Sequence, residues 1–153
     1  MSNAQWVSDK HVPFKTTHLV RDACLCLHVQ RAARALSRRF DNAFRPLGLT
    51  NGQFSLMMSL NRPDPPAMSA VANFLTMDRT TLTAALKPLQ RRGLIHVAAD
   101  PSDRRSRLLS LTPKGRKLLR RAVPIWTRTH RALESRLPSS NSNSLRRSLV
   151  SLS

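Results

Sequence analysis

The chain has no tyrosine, two cysteines, four glycines and only eight acidic residues among 153. Each shortage removes a class of protein. Cys24 and Cys26 stand two positions apart in a helical pattern, where side chains leave in nearly opposite directions and cannot bridge. A secreted disulfide scaffold is therefore excluded, and a reducing cytoplasm is the expected compartment. Glycine is too sparse for a phosphate-cradling loop, and no nucleophile elbow is found. His11, His18, His28, His96 and His130 are scattered along the chain, without the spacing of a metal site. Neither cofactor nor metal is expected. A thiol-dependent enzyme would need a base and an oxyanion site beside Cys24 or Cys26, and the sequence supplies no such catalytic set. No apolar run reaches the ~20 residues of a bilayer span, so no membrane partner is expected. Met1 to Ala4 does not read as a signal peptide; Ser2-Asn3-Ala4 reads as a scar of tag removal, with residues 1–17 a tag remnant and N-terminal arm.

What is abundant is positive charge. Lys and Arg total 26, giving a formal net charge of +18, which repels itself unless a polyanion is the partner. Arginine dominates, and genome base composition alone can produce that, so the placement of the charges has to decide.

From His18 to Leu47, Val20, Ala23, Leu27, Ala33, Leu36, Phe40, Phe44 and Leu47 recur at steps of mostly three or four. The pattern predicts one long amphipathic helix over 18–47, with Pro46 near its end and Gly48 closing it. Thr50 and Gln53 have capping-box spacing and start a second helix, largely buried, over Asn51 to Leu60. After a turn at 61–66, Ser69 is placed to cap a short helix carrying Val71, Ala72, Phe74 and Leu75. A break at Thr76-Met77 follows, and Asp78 is a good N-cap for the next helix, with a buried row of Leu82, Ala85, Leu86 and Leu89 and an end at Gly93. Two short helices joined by a tight turn form a helix-turn-helix, whose second helix is the one presented to DNA.

Past Gly93 the period becomes two. Ile95 and Val97, a turn at Asp100-Pro101-Ser102-Asp103, then Leu109 and Leu111 predict a β-hairpin with Arg104, Arg105 and Arg107 at its tip. Thr112-Pro113 restarts a helix carrying Leu118, Leu119, Val123, Trp126, Leu133 and Leu137, expected to bend at Pro124. A Ser/Asn-rich loop over 138–144 precedes a short closing helix with Leu145, Leu149 and Leu152.

The runs Asp78-Arg79-Thr80-Thr81-Leu82-Thr83, Leu89-Gln90-Arg91-Arg92-Gly93-Leu94-Ile95, Asp100-Pro101-Ser102-Asp103-Arg104-Arg105-Ser106 and Leu109-Ser110-Leu111-Thr112-Pro113-Lys114-Gly115 resemble the MarR (multiple antibiotic resistance regulator) family. The likeness extends from about Leu19 to about Leu137. It implies a mainly α fold with a small β-hairpin wing. In that fold 18–47 is a first dimerisation helix, 48–112 a winged helix-turn-helix lobe, and 113–153 C-terminal dimerisation helices. It further implies a homodimeric repressor on a pseudo-palindromic operator, released by a small-molecule effector or an oxidant.

With Leu82, Ala85, Leu86 and Leu89 inward, the outer face of the recognition helix carries Arg79, Thr80, Thr83, Ala84 and Lys87. These side chains suit base edges in the major groove. Family members often carry Arg where this chain has Ala84. Ser69 and Thr81, at helix N-termini, suit phosphate. The family's Asp-x-Arg wing pattern falls on Asp103 and Arg105, implying a structural role for Asp103 and a minor-groove role for Arg105. Arg104 and Arg107 are expected on phosphate. Cys26 falls where the peroxide-sensing branch has its reactive cysteine, but the activating tyrosines of that branch have no counterpart here. Trp126 and Phe14 are candidates for an effector pocket, with core packing the plainer reading. A basic, non-specific or architectural DNA-binding protein at the nucleoid is the alternative that shares the charge.

Overall fold

A computed structural model describes residues 11–138 and 141–153. The described elements are α1 (Phe14–Ala23), α2 (Leu25–Phe44), a 3₁₀ turn (Arg45–Leu47), α3 (Asn51–Ser59), α4 (Met68–Phe74), α5 (Arg79–Arg91), β1 (Ile95–Ala99), β2 (Arg107–Leu111), α6 (Pro113–Glu134) and α7 (Ser142–Val150). The chain divides into two compact units, residues 1–37 and 38–153, with the boundary inside α2.

In the first unit the single helix expected over 18–47 is two. It begins earlier, at Phe14 after Pro13, and breaks at Cys24, whose ψ of 107° is extended. The break carries its own cap: Cys24 Sγ accepts the Leu27 N–H at 3.4 Å. His28 Nδ1 lies 2.8 Å from the Cys24 carbonyl, an oxygen that can only accept. A sulfur with a free lone pair thus does what a serine hydroxyl does at a helix start, a role that apolar periodicity does not register. No residue of α1 is buried, and Phe14, Leu19, Val20, Leu25, Val29 and Leu36 are all exposed.

The core lies in the second unit. Phe40 and Phe44 from the last turns of α2 stack toward Phe54 of α3, with the Phe44 and Phe54 rings 4.7 Å apart. Phe44, Leu56, Met57, Leu82, Leu86, Leu89, Leu94 and Leu109 are fully buried, so α3, α5 and the hairpin share one apolar interior. The α-helix ends at Phe44, and Pro46 sits in the 3₁₀ turn that follows. Gly48 then takes φ +61°, a left-handed conformation that suits glycine. The capping box is present, with Gln53 N–H donating to Thr50 Oγ1 and Thr50 N–H to Gln53 Oε1. Asp41 Oδ1 accepts the Asn51 N–H at 2.6 Å, tying α2 to the start of α3.

The expectation that Ser69 caps α4 is corrected. Ala67 is the N-cap, with no side-chain hydrogen bond, and Ser69 lies inside the helix. Tertiary pairing sets the start: Ala67 bridges Leu108, and the Leu109 N–H donates to the Pro66 carbonyl at 3.0 Å. Those bonds hold 66–67 extended, so the helix begins one residue later whatever hydroxyl is nearby. Phe74 is also unlike its neighbours Val71 and Ala72, being 67% exposed.

The hairpin pairs Ile95 with Leu111, Val97 with Leu109 and Ala99 with Arg107. Arg107 therefore starts β2 rather than sitting at the tip. α6 starts with Thr112 as N-cap and Pro113 inside the first turn, and it continues through Pro124. α7 begins at Ser142, inside the stretch expected to be loop; residues 139–140 of that stretch lie outside the described residues.

Three chain segments meet at Gly115. A Cβ there would stand 2.0 Å from the Leu94 carbonyl oxygen and 3.4 Å from Leu111 Cδ2. The obstacle is backbone, so it cannot rotate away. Gly115→Ala should lower the chemical-denaturation midpoint by the equivalent of about 2–3 kcal/mol or more. Gly52→Ala, with nothing within 4 Å of its Cβ position, should cost nothing measurable.

Candidate nucleic-acid interface

The recognition element is built from its N-terminus. Thr76 takes φ +52°, the only non-glycine residue with positive φ among the described residues, and turns the chain sharply between α4 and α5. Asp78 then caps α5: its Oδ1 accepts the Thr81 N–H and its Oδ2 the Thr81 hydroxyl, both at 2.7 Å. These bonds, the hydroxyl first, hold the Asp78 carboxyl below the usual carboxylate range.

Leu82, Leu86 and Leu89 anchor the inner side of α5, with Ala85 half-buried. The outer side collects Arg79, Thr80, Thr83, Ala84 and Lys87 around one shallow depression. Thr83 Oγ1 donates to the Arg79 carbonyl at 2.7 Å, so its one hydroxyl proton is committed and the methyl group and oxygen lone pairs remain to meet a partner. Thr81 is in the same position, since its hydroxyl proton goes to Asp78. A phosphate oxygen accepts only, so Thr81 can serve it through nothing but a rearranged cap. Pro88 lies inside α5 and has no N–H to give the Ala84 carbonyl, a feature the apolar period passes over.

The wing turn is organised by two aspartates. Asp100 Oδ1 accepts the N–H and hydroxyl of Ser102, which lower its pKa, the hydroxyl first. Asp103 Oδ1 accepts the Arg105 N–H at 2.9 Å and its carbonyl the Ser106 N–H. Arg104 and Arg105 are exposed. Arg107 reaches the Arg104 and Ser106 carbonyls, both at 3.3 Å, so it braces the turn from beneath.

Helix and wing face one cleft of about 530 Å³, whose borders include Ser69, Asn73, Arg79, Asp103, Arg105 and Arg107. Four of the site residues singled out in the sequence, Arg79, Asp103, Arg105 and Arg107, are thus gathered in one place together with Ser69. Asn73 is new; it stands four residues after Ser69, and that helical spacing could have revealed it. Arg92 was missed for a better reason. Its guanidinium donates to the Gly48 carbonyl at 2.7 Å and toward Leu47 at 3.4 Å, 44 and 45 residues away in the chain.

Cys26 is exposed and its Sγ accepts from Gln30 Nε2 at 3.2 Å. Trp126 stacks on His130 at 4.7 Å and lies 6.5 Å from Phe54, at the margin of the core. Phe14 belongs to the first unit and lies 4.6 Å, edge-on, from His18. No His/Cys/Asp/Glu cluster that could hold a metal occurs among the described residues.

The family model for MarR matches residues 49–106, the span from the start of α3 through the wing turn. The chain is similar in structure to the Mycobacterium tuberculosis transcriptional regulator MosR, solved in complex with DNA, at TM-score 0.77 and 36% identity, covering 84% of this chain and 92% of that one. The chain belongs to the MarR family. A second member solved on DNA, the repressor CouR with a 23-mer duplex, aligns at TM-score 0.77 and 31% identity over 87% of this chain and 94% of that one. The organic hydroperoxide resistance regulator of Bacillus subtilis is 28% identical over 111 residues, 72% of this chain and 76% of that protein. As a MarR-family winged helix, the chain uses α4 and α5 as its helix-turn-helix and β1–β2 as its wing.

Because the Asp78 pKa is lowered on folding, its cap contributes stability above the unfolded value of about 3.9 and loses it as pH falls through the folded value. The difference in melting temperature between the wild type and Asp78→Ala should therefore be positive at pH 7 and shrink toward zero below about pH 4. Asp78→Asn should stay close to the wild type at pH 7 in the same thermal melts.

Proposed function

We propose that this protein is a homodimeric transcriptional repressor that reads a pseudo-palindromic operator with α5 in the major groove and the wing in the minor groove. The observation that carries the reading is the position of Arg79, which borders both the cleft it shares with Arg105 and Arg107 of the wing and the depression lined by Thr80, Thr83 and Lys87 on the outer face of α5. Relatives solved on DNA support it. Arg79, Thr80, Thr83 and Lys87 meet base edges, with Thr83 offering its methyl to thymine. Arg105 enters the minor groove, where negative potential concentrates. Ser69, Arg104 and Arg107 lie toward phosphate, and Thr81 acts first as partner of the cap. The binding lobe is 48–112. Dimerisation falls to the helices on either side, 18–47 and 113–153. Apolar side chains left open on α1 and on α7, where Leu145, Leu149 and Val150 are exposed, favour that assignment, since a second copy can cover them. None of this calls for catalysis, and the protein works in the cytoplasm, at the nucleoid. None of the described helices is long and apolar enough to cross a membrane.

Release by an oxidant at Cys26 is the second reading, favoured by the exposed thiol and by the hydroperoxide-resistance regulator among the relatives.

In competition gel shifts at physiological salt, one duplex sequence selected from genomic fragments should outcompete bulk DNA by ~10³-fold or more. Equal competition would favour a non-specific or architectural protein. Arg105→Ala should weaken binding to that duplex about tenfold, and Thr83→Ala should change the preferred base at one position per half-site, each worth ~1–3 kcal/mol. For the oxidant, affinity is compared before and after cumene hydroperoxide; the same value in both states rejects Cys26 as the sensor.

A further inference from the structure

The first half of α6 places charge against the helix's own electrostatics. Between 114 and 121 it carries Lys114, Arg116, Lys117, Arg120 and Arg121 and no acidic residue. The positive end of the helix dipole is at this N-terminus, where cations are disfavoured, and α6 has no acidic residue in its first turn. Lys117 stands three and four residues from Arg120 and Arg121, and Arg116 four from Arg120, spacings at which like charges repel. The two nearest the start have structural uses: Lys114 Nζ donates to the Arg92 carbonyl and Arg116 Nη1 to the Leu111 carbonyl, each at 2.7 Å. The side chains of Lys117, Arg120 and Arg121 have no hydrogen bond or ion pair among the described residues. The one acid of the helix, Glu134, is at the far end and is held by Arg146 at 2.6 Å.

These cations flank the buried stripe of Gly115, Leu119 and Ala122 on both sides. Lys117 and Arg121 join Arg92 and Lys114 around a concavity of about 360 Å³, and Arg116 and Arg120 border another of about 380 Å³ with Met58 and Val123. Neither includes an acidic side chain. α6 starts at the base of the wing, since Leu111 ends β2 opposite Ile95. Five residues of strand separate that base from the tip by about 17 Å. The patch therefore stands away from the cleft that meets the operator.

We propose that this half of α6 is a second DNA-binding surface, which grips the phosphate backbone of a separate duplex while α5 and the wing hold the operator. It rests on the reading of α5 and the wing as the operator-binding face. Self-pairing of this surface across a two-fold axis would oppose five cations to five, so within 113–153 the dimer contact falls on the later half of α6 and on α7, where Leu145, Leu149 and Val150 are exposed. Phosphates evenly spaced along a duplex match a row of unpaired cations that has no pocket for a base. The consequence is a regulator that links two DNA segments.

The test uses the full chain and the triple variant Lys117→Gln, Arg120→Gln, Arg121→Gln. Protein is loaded on an immobilised selected duplex, and a fluorescent 40-base-pair duplex of random sequence is added at ~0.15 M salt. The wild type should retain the second duplex. The variant should retain at least tenfold less, bind the selected duplex within about threefold of the wild type, and melt no lower, because removing repulsion does not weaken α6. Retention equal in both proteins, or no retention by the wild type, overturns the proposal while leaving operator reading intact. Parallel loss of selected-duplex affinity also overturns it, by placing the patch on the same DNA. Failure to select any preferred duplex, by contrast, overturns the operator reading itself.

Discussion

The arrangement of this protein depends on how closely the start of α6 approaches the start of the wing. The Thr112 N–H donates to the Leu94 carbonyl at 3.1 Å, Thr112 Oγ1 to the Gly93 carbonyl at 2.7 Å, and Lys114 to the Arg92 carbonyl at 2.7 Å. These bonds satisfy the carbonyls of Arg92, Gly93 and Leu94 in the turn that follows α5, outside the helical ladder. They also fix both strands of the hairpin at their base. Gly115 makes the approach feasible, because any side chain would meet Leu94 backbone. Recognition helix and wing are therefore held to one another through the far end of each, leaving their outer ends open to a partner.

A division of labour between the two signs of charge follows. Asp41, Asp78, Asp100 and Asp103 each accept a backbone N–H at a helix start or in the wing turn. In a chain with eight acidic residues, using them on the backbone leaves few to neutralise arginines. The cations consequently remain available at the surface, and a partner rich in phosphate gains both contact and released counterions. Arg92, Lys114 and Arg116 are used structurally instead, donating to the Gly48, Arg92 and Leu111 carbonyls.

How much of this was legible in the sequence depended on the range of the interaction. The capping box at Thr50 and Gln53, the cap at Asp78 and the Asp103 turn are formed within three residues, and each is written in the local order of side chains. The break at Cys24 is equally local but uses a sulfur acceptor, so apolar periodicity ran straight across it. Ser69 was misplaced because the start of α4 is set by pairing of 66–67 with Leu108 and Leu109, some forty residues on. Asn73 entered the cleft, and Phe74 the solvent, for the same kind of reason: exposure on a seven-residue helix is decided by what packs against it.

By itself, then, the sequence determined the succession of elements and the winged helix-turn-helix class. Period, caps and turn residues act over a few positions, and the excess of cations is a property of composition. Tertiary structure alone decided which side chains meet: that Ser69, Asn73 and Arg105 share one cleft, that Arg92 locks α5 to the turn at Gly48, and that the cations of α6 line concavities other than that cleft. Those facts join residues tens of positions apart, and only the packing of a shared apolar interior fixes such distances.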